Sequence, residues 1–225
     1  MSDAEARGRA RVPWPLLAIG IVLVAALAFA AGRFTTFGAL AEATGTGSGP
    51  NAADAGFARD MQVHHAQAVE MAMIEYRATS DEELRVLAYD IATAQAGQRG
   101  EMFGWLVGWG LSQSGDPLMS WMSGSEHAHG SAAAGEATTA ELEAAMGMAT
   151  DEELARLQSL SGSEQDCLFV ELMIRHHEGA IEMTDAVVEL GSVQRVIDTA
   201  RQMGENQTAE IDAMKSIQER LGCSG

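Results

Sequence analysis

Residues 61–71 read MQVHHAQAVEM, and residues 173–183 repeat the pattern as MIRHHEGAIEM. Both segments have the form Met-x-x-His-His-x5-Met, and they hold four of the six histidines of the 225-residue chain. An offset of 112 residues aligns 57–106 with 169–218 without a gap. Self-similarity of this kind is typical of a duplicated structural unit. The identical pairs are Phe57/Phe169, Met61/Met173, His64/His176, His65/His177, Ala68/Ala180, Glu70/Glu182, Met71/Met183, Ser80/Ser192, Ala88/Ala200, Gln95/Gln207 and Met102/Met214.

Each unit has the pattern of two helices joined by a short turn. The composition favours helix, because only 5% of the residues are aromatic and unbranched side chains are plentiful. In the first unit we expect helices over 57–78 and from the capping-box sequence SDEE (80–83) to about residue 109. In the second unit we expect them over 163–190 and to about residue 221. Turns this short make paired helices antiparallel, so the sequence predicts an all-α four-helix bundle of two hairpins.

An insertion, residues 110–162, separates the two hairpins. Its first part, with DPLMSWMSGSEHAHGSAAAGEA at 116–137, has the Gly, Ser and Pro content of a loop. The sequence TDEE at 150–153 is a capping box and predicts a short helix. Loops of this length are often functional, and this one is rich in soft ligands. Its Met and His residues are Met119, Met122, His127, His129, Met146 and Met148.

The N-terminal region has the pattern of an export signal. Residues 1–11 carry three arginines, and residues 12–32 hold no charge. About twenty apolar residues span a bilayer as a helix, so we expect a single transmembrane anchor with the N-terminus in the cytoplasm. The alternative is a long signal peptide cleaved after Ala30, which would release a secreted protein. Residues 33–56 are rich in Gly, Ala and Thr and predict a flexible linker, so the folded domain is expected over 57–221.

The exported part of the chain is strongly acidic. From Phe34 onward it has 10 Lys and Arg residues against 30 Asp and Glu residues, a net charge of −20. Such a surface repels nucleic acid and attracts cations, so nucleic-acid binding is excluded as a function. Its two cysteines, Cys167 and Cys223, lie near the start and the end of the second hairpin. Because disulfides persist outside the cytoplasm, we expect them to pair; a thiolate pair for a soft metal is the alternative.

The repeated Met and His residues share one helix face in each unit. At about 100° per residue they fall within a stripe roughly 120° wide that also contains Phe57 or Phe169 and that a bundle must bury. A buried imidazole needs a hydrogen bond or a metal, since an unsatisfied buried polar group costs about 1–3 kcal/mol. Two such stripes meeting in the core would bring imidazoles and thioethers together. The candidate ligands are Met61, His64, His65, Met71, Met173, His176, His177 and Met183.

The ligand types indicate copper. Thioether sulfur is a good ligand for Cu(I) and its mimic Ag(I) and a poor one for hard cations, while imidazole accepts Cu, Zn, Ni and Fe. A di-iron site would need inward Glu residues and two Glu-x-x-His motifs; neither repeat has such a motif, and Glu70 and Glu182 are expected to face away. Met119, Met122, His127 and His129 are candidates for a second metal site.

Two other functions remain open at this stage. The His pairs could be core residues hydrogen-bonded to Gln and Glu side chains of the second helices, in a purely structural or protein-interaction bundle. A metal-dependent oxidoreductase is a weaker alternative, because the sequence has no nucleophile motif and no phosphate-binding loop. The delivery partner is unknown, and a homo-oligomer is compatible with the sequence.

The segments FARDMQVHHAQAVEMA and FVELMIRHHEGAIEMT, with MGMAT between them, resemble the family called domain of unknown function 305 (DUF305). Gln95, Glu101 and Met102, and Gln207, Glu210 and Met214, belong to the same resemblance, which extends over about 57–221. It implies a ferritin-like exported bundle and copper binding, with a role in copper homeostasis or resistance as in CopM-like proteins. The implied ligands are the Met and His residues of the two motifs.

Overall fold

The computed structural model describes residues 49–126 and 137–223. Within these residues the chain forms six α-helices and no β-strand, which confirms the predicted all-α class. The helices are α1 (Ala52–Ala78), α2 (Glu82–Gly108), α3 (Thr139–Ala145), α4 (Asp151–Ser159), α5 (Ser163–Leu190) and α6 (Gln194–Leu221), and a 3-10 turn lies at Ser120–Met122.

The four long helices form two hairpins that pack through α1 and α5. Helix α1 lies against α2, helix α5 lies against α6, and each pair is joined by a three-residue turn. Contacts between α1 and α5 join the hairpins, so the two Met/His helices are the central pair of the bundle.

Helix α1 begins at Ala52, five residues before the predicted start at Phe57. Asn51 forms a capping box: its side chain accepts a hydrogen bond from the backbone N–H of Asp54, and the Asp54 carboxylate accepts one from the N–H of Asn51. The same carboxylate accepts hydrogen bonds from the backbone and hydroxyl of Ser192 and the backbone of Val193. Residues 52–56 therefore belong to the folded domain and not to the linker predicted over 33–56.

Helix α2 is capped by Asp81 and not by Ser80, the first residue of the predicted capping box. The Asp81 side chain accepts a hydrogen bond from the N–H of Leu84 and pairs with Arg220 at the end of α6. In the insertion, the predicted capping box at Thr150 is confirmed, with Glu153 as its acidic partner. A second box, Thr138 with Glu141, starts α3.

A disulfide joins the second turn of α5 to the residue that follows Gly222, the C-cap of α6. Cys167 and Cys223 are bonded, with their Cα atoms 5.5 Å apart. Closing a loop of this length lowers the entropy of the unfolded chain, and the chain-entropy model assigns about 4 kcal/mol of stabilisation to it. The second hairpin is thus covalently closed at its open end.

The buried apolar side chains form two clusters, one toward each end of the bundle. We call the first the methionine cluster; it holds eight methionines, namely Met61, Met102, Met119, Met122, Met146, Met148, Met183 and Met203. We call the second the aliphatic cluster; it holds Met71, Met173 and Met214 among Ala, Leu, Ile, Val and Phe side chains. The four motif histidines belong to the stretches of α1 and α5 between these clusters.

The predicted anchor, residues 12–32, lies outside the described residues, as do His127 and His129 of the insertion. Among the helices that the structure describes, none combines the length and apolar character needed to cross a membrane.

Candidate metal centre

The four motif histidines are fully buried, two on α1 and two on α5. The rings of His64 and His176 stack with their centroids 3.6 Å apart and their planes 33° from parallel. His65 and His177 lie one residue further along, each with its ring centroid 6.3 Å from that of its neighbour. The two copies of the motif thus meet where α1 and α5 cross.

Each imidazole has a hydrogen-bond partner at Nε2. His64 Nε2 lies 2.9 Å from the carbonyl oxygen of Met146, and His176 Nε2 lies 3.0 Å from the carbonyl oxygen of His64. Because a carbonyl can only accept, these two rings carry their proton on Nε2.

The outer two histidines bind side chains of the flanking helices. His65 Nε2 is 2.7 Å from Gln98 Oε1 on α2, and His177 Nε2 is 2.6 Å from Glu210 Oε2 on α6. Gln98 and Glu210 occupy equivalent positions, 112 residues apart. Each ring is therefore oriented through Nε2 by a fixed acceptor.

The other nitrogen of every ring is unpartnered. All four Nδ1 atoms are buried and have no hydrogen-bond partner among the described residues. With the proton on Nε2, Nδ1 presents a lone pair to the protein interior. Leaving such an acceptor unsatisfied costs on the order of 1–3 kcal/mol per group. A histidine held through one nitrogen, with the other free, has the arrangement of a metal ligand whose orientation is set by an outer partner.

The rings of His64, His65 and His176 are neutral at neutral pH. Burial lowers the pKa of His64 to about 4 and that of His65 to about 3, and it lowers the pKa of His176 well below its usual value. Repulsion by neighbouring imidazoles acts in the same direction. A neutral imidazole is the form that binds a metal, so protons compete with a metal here only under strongly acidic conditions.

The structure separates the four motif methionines into two pairs, whereas the sequence led us to expect one shared site. Met61 and Met183 lie in the methionine cluster, and Met71 and Met173 lie in the aliphatic cluster. The reason is the antiparallel crossing of α1 and α5, which places the methionine before one His pair beside the methionine after the other. Among the described residues, no three His, Cys, Asp or Glu side chains form a metal-binding group.

The segment MGMAT, residues 146–150, lies against α5 next to the histidines. A Cβ on Gly179 of α5 would lie 1.9 Å from the carbonyl oxygen of Met146, so only glycine permits this approach. Gly147 adopts φ of 73°, and a Cβ there would lie 2.3 Å from the carbonyl oxygen of Arg175. The contact presents the Met146 carbonyl to His64 and buries Met146 and Met148 in the methionine cluster.

Side chains from both central helices hold the insertion in place. Gln67 on α1 donates to the carbonyl oxygen of Ala149 and accepts from its N–H, at 2.8 and 2.6 Å. Arg175 on α5 forms an ion pair of 2.5 Å with Glu153. These contacts fix the segment over the crossing of α1 and α5.

Asp60 anchors the first part of the insertion. Its carboxylate accepts hydrogen bonds from the N–H of Met119 and the indole N–H of Trp121, at 2.7 and 2.9 Å. Burial raises its pKa to about 6, while these two hydrogen bonds act in the opposite direction. Met119 and Met122, predicted as part of a second metal site, are thereby buried in the methionine cluster itself.

Sequence reasoning missed several of these contacts. Gln98 could have been predicted, since the 112-residue offset makes it the equivalent of Glu210 in the first repeat. Gln95 and Gln207, which the structural alternative assigned to the histidines, are buried with both amide atoms unpartnered among the described residues. Glu70 is exposed and Glu182 is half-buried, so neither is presented to the core as a di-iron ligand would be.

Comparison with known proteins identifies the family of this chain. The family model described as Domain of unknown function (DUF305) matches residues 54–218. The chain belongs to the DUF305 family. No curated protein shows significant similarity to it.

Three solved structures are similar to the chain. A DUF305 protein from Streptomyces coelicolor, inferred to be secreted, is 42% identical, with 76% of this chain and 92% of that chain covered and a TM-score of 0.65. A DUF305 fragment from Deinococcus radiodurans is 28% identical, covering 77% and 99% of the two chains with a TM-score of 0.63. CopM in its Cu(I)-bound form is 22% identical, covering 74% and 96% with a TM-score of 0.54, a level that shows a shared fold.

Proposed function

We propose that this DUF305 protein binds a soft metal ion, Cu(I) first and Ag(I) as its mimic, and serves copper sequestration, homeostasis or resistance. The observation that supports this most is the set of four buried Nδ1 atoms without hydrogen-bond partners. Nitrogen lone pairs held beside a cluster of eight methionines make a donor set of imidazole and thioether. Such a set favours Cu(I) over Zn(II) and Mg(II).

The proposed ligands lie on the methionine-cluster side of the histidine pairs. His64 and His176 stack at the crossing, and Met61 and Met183 are the motif methionines on that side. His65 and His177 are held in orientation by their hydrogen bonds to Gln98 on α2 and Glu210 on α6. Met71 and Met173 support the site from the aliphatic cluster. Met119 and Met122 extend the same donor set, so they are not treated as a separate site.

We place the protein outside the cytoplasm, anchored through residues 12–32. The disulfide between Cys167 and Cys223 suits an oxidising compartment, and thioethers, unlike thiols, remain available as ligands there. The Streptomyces coelicolor relative, inferred to be secreted, supports export. Cleavage of the N-terminal segment, which would release a secreted protein, is the alternative.

The copper hypothesis is tested by thermal melts of the full chain in detergent with Cu(I), Ag(I), Zn(II) or Mg(II), followed by dialysis and metal counting. A ligand that binds only the folded state stabilises it by about 2.7 kcal/mol at a hundred times its dissociation constant. For a chain of this size that is roughly 5–11 °C. We expect this shift and retained metal with Cu(I) and Ag(I) alone. Equal shifts with Mg(II), or no retained copper, would contradict the proposal.

A structural bundle is the second candidate, and one observation favours it. Every imidazole already has a hydrogen-bond partner at Nε2, so the rings are not wholly unsatisfied without a metal. In that case the histidines would specify how α1 and α5 pack, and replacing them would lower the melting temperature without any effect on metal retention.

A further inference from the structure

Helix α2 exposes an apolar face to solvent. Six large apolar side chains are exposed in the described residues, and five of them lie on α2 or just after it. Phe103 is 51% exposed and Val107 is 58% exposed, and Val86, Tyr89 and Leu111 lie along the same face. From residue 93 to residue 111 this face has no charge, because Arg99 and Glu101 fall on its two flanks, about 100° to either side of Gly100. Contiguous apolar surface of this kind marks an interaction site.

The second repeat supplies an internal control. The offset of 112 residues maps the exposed face of α2 onto the exposed face of α6, which packs in its own hairpin in the same way. Every exposed large apolar residue on α2 then corresponds to a charged residue on α6 that is also exposed. The pairs are Val86/Asp198, Tyr89/Arg201, Phe103/Lys215 and Val107/Glu219. The fold therefore does not require apolar residues at these positions, and a different function explains them.

The face has a shape that another helix can enter. Gly100, Gly104 and Gly108 follow one line along α2 at a spacing of four, and a Cβ on any of them would have nothing within 4 Å. Phe103, Val107 and Leu111 follow the adjacent line. Small residues beside large apolar ones let two helices approach closely. Each copy of the face has both a ridge and a groove, so it is complementary to itself.

The charge of the chain indicates which partner covers the exposed face of α2. The chain has a net charge of −18, so most of its surface repels a second copy, whereas this face does not. A basic partner would prefer the acidic faces, and the charged counterpart face on α6 excludes a second apolar contact. One self-complementary face per chain produces a closed two-fold dimer and not a filament. We infer that α2 is the dimer interface of this protein, with the ridge of Phe103, Val107 and Leu111 seated against the glycines of a second copy.

The test is site-directed cross-linking of the full chain in the membrane of the cell that makes it. Both native cysteines are in the disulfide, so Gly104→Cys supplies the one free thiol, and a short bismaleimide relaxes the strict geometry of a disulfide cross-link. Ser216→Cys, the equivalent exposed position on α6, is the matched control. We expect covalent dimer from Gly104→Cys and at least about tenfold less from Ser216→Cys. Equal dimer from both variants would overturn the inference.

A second pair of substitutions separates the interface from folding. Phe103→Lys with Val107→Glu copies the residues that α6 has at these positions, so the helix should fold as α6 does. Added to Gly104→Cys, this change is expected to lower the dimer yield about tenfold with unchanged helix content by circular dichroism. An undiminished yield would contradict the proposed contact.

Maleimide labelling identifies what covers the face if no dimer forms. A cysteine at position 104 that reacts freely shows an uncovered face, and one that is protected shows another occupant, such as residues 12–32 of the same chain. Either result without dimer would overturn the inference. Neither bears on copper binding, because this face is exposed whereas the four motif histidines are fully buried.

Discussion

The two ends of the bundle come from the same repeat but differ in what covers them. At one end Met61 and Met183 lie in the methionine cluster, and at the other Met71 and Met173 lie in the aliphatic cluster. Duplication alone would have made these ends alike. The insertion adds four methionines to one end only, namely Met119, Met122, Met146 and Met148. At the position of Met203 in that cluster, the other end has Ile91.

The insertion explains how a duplicated bundle can carry the ligands of one proposed metal site and not of two. The histidines are shared by both ends, because they stack at the two-fold crossing of α1 and α5. The insertion breaks the symmetry, since Met146 binds His64 while the equivalent His176 binds the backbone of His64 itself. The added methionines and the hydrogen bond between His64 and the Met146 carbonyl oxygen therefore lie at the same end of the bundle. Changes at the methionine end are therefore expected to lower metal affinity more than the same changes at the aliphatic end.

Among changes at either end, Gly179→Ala is expected to have the largest effect, because it removes the close contact between α5 and the insertion. The new Cβ would lie 1.9 Å from the Met146 carbonyl oxygen, and a clash with backbone in a packed interior costs roughly 1–3 kcal/mol. We expect the melting temperature measured by circular dichroism to fall by roughly 2–12 °C. Copper retention should fall with it, since Met146 and Met148 leave the cluster.

The control for this change is Gly97→Ala on α2, where a Cβ has nothing within 4 Å and the counterpart on α6 is Ala209. An exposed Gly to Ala change in a helix stabilises by about 0.8–1 kcal/mol. If Gly179→Ala did not lower stability or copper retention, the insertion would not be held as described.

Paired methionine substitutions are expected to have the next largest effect, and they compare the two ends of the bundle directly. Met61→Leu with Met183→Leu removes two thioethers at the methionine end, and Met71→Leu with Met173→Leu removes two at the aliphatic end. Leu is close to Met in volume, so each exchange should cost less than about 1.5 kcal/mol in stability. Competition titrations with a Cu(I) chelator should show a loss of about tenfold for the first pair, or 1.4 kcal/mol, and little change for the second. Equal losses would mean that the two ends are equivalent.

The smallest effect concerns a buried carboxyl at the aliphatic end. Burial and the neighbouring carboxylate of Asp166 raise the pKa of Glu75 to about 9, whereas its counterpart at the methionine end is Val187. A raised acid pKa means that the folded state binds the proton more tightly than the unfolded state. Stability from this group is therefore complete below pH 4.5 and declines as pH rises toward 9.

Glu75→Gln should flatten this decline. We expect the variant to melt roughly 2–4 °C above wild type at pH 8, which corresponds to about 1 kcal/mol of added stability. The difference at pH 5 should be smaller. Melts at the two pH values, with Glu70→Gln as an exposed control, measure it. A larger gain at pH 5 than at pH 8 would reverse the sign and contradict the assignment.

Much of the fold could be predicted from the sequence, because its signals are local. The 3.6-residue spacing of Phe57, Met61, His64 and His65 fixed the buried face, and the turns at Thr79 and Gly191 fixed the hairpins. The start of α1 was missed because Asn51 and Asp54 act through a reciprocal cap within a Gly- and Ala-rich stretch. The cap of α2 was misplaced by one residue because Ser80 and Asp81 are both suitable N-caps.

The site was predictable in its members but not in its arrangement. Helical periodicity places a methionine on a face, yet only the antiparallel crossing of α1 and α5 decides that Met61 meets Met183 and not Met71. The passage of Met146 across Gly179 joins positions 33 residues apart in the sequence, and the contact of Gln67 with Ala149 joins positions 82 residues apart. Such long-range contacts leave no periodic trace in the sequence.

The most direct test of the central claim is Cu(I) binding by the chain in which His64, His65, His176 and His177 are all replaced by Ala. The matched control replaces His127 and His129, the histidines of the insertion. A competition titration with a Cu(I) chelator, with helix content followed in parallel, measures both. The account predicts that the fourfold variant keeps its helices and loses tight Cu(I) binding by at least about a hundredfold, 2.8 kcal/mol, while the control binds as wild type. Unchanged Cu(I) affinity in the fourfold variant, with loss in the control, would contradict it and move the metal site to the insertion.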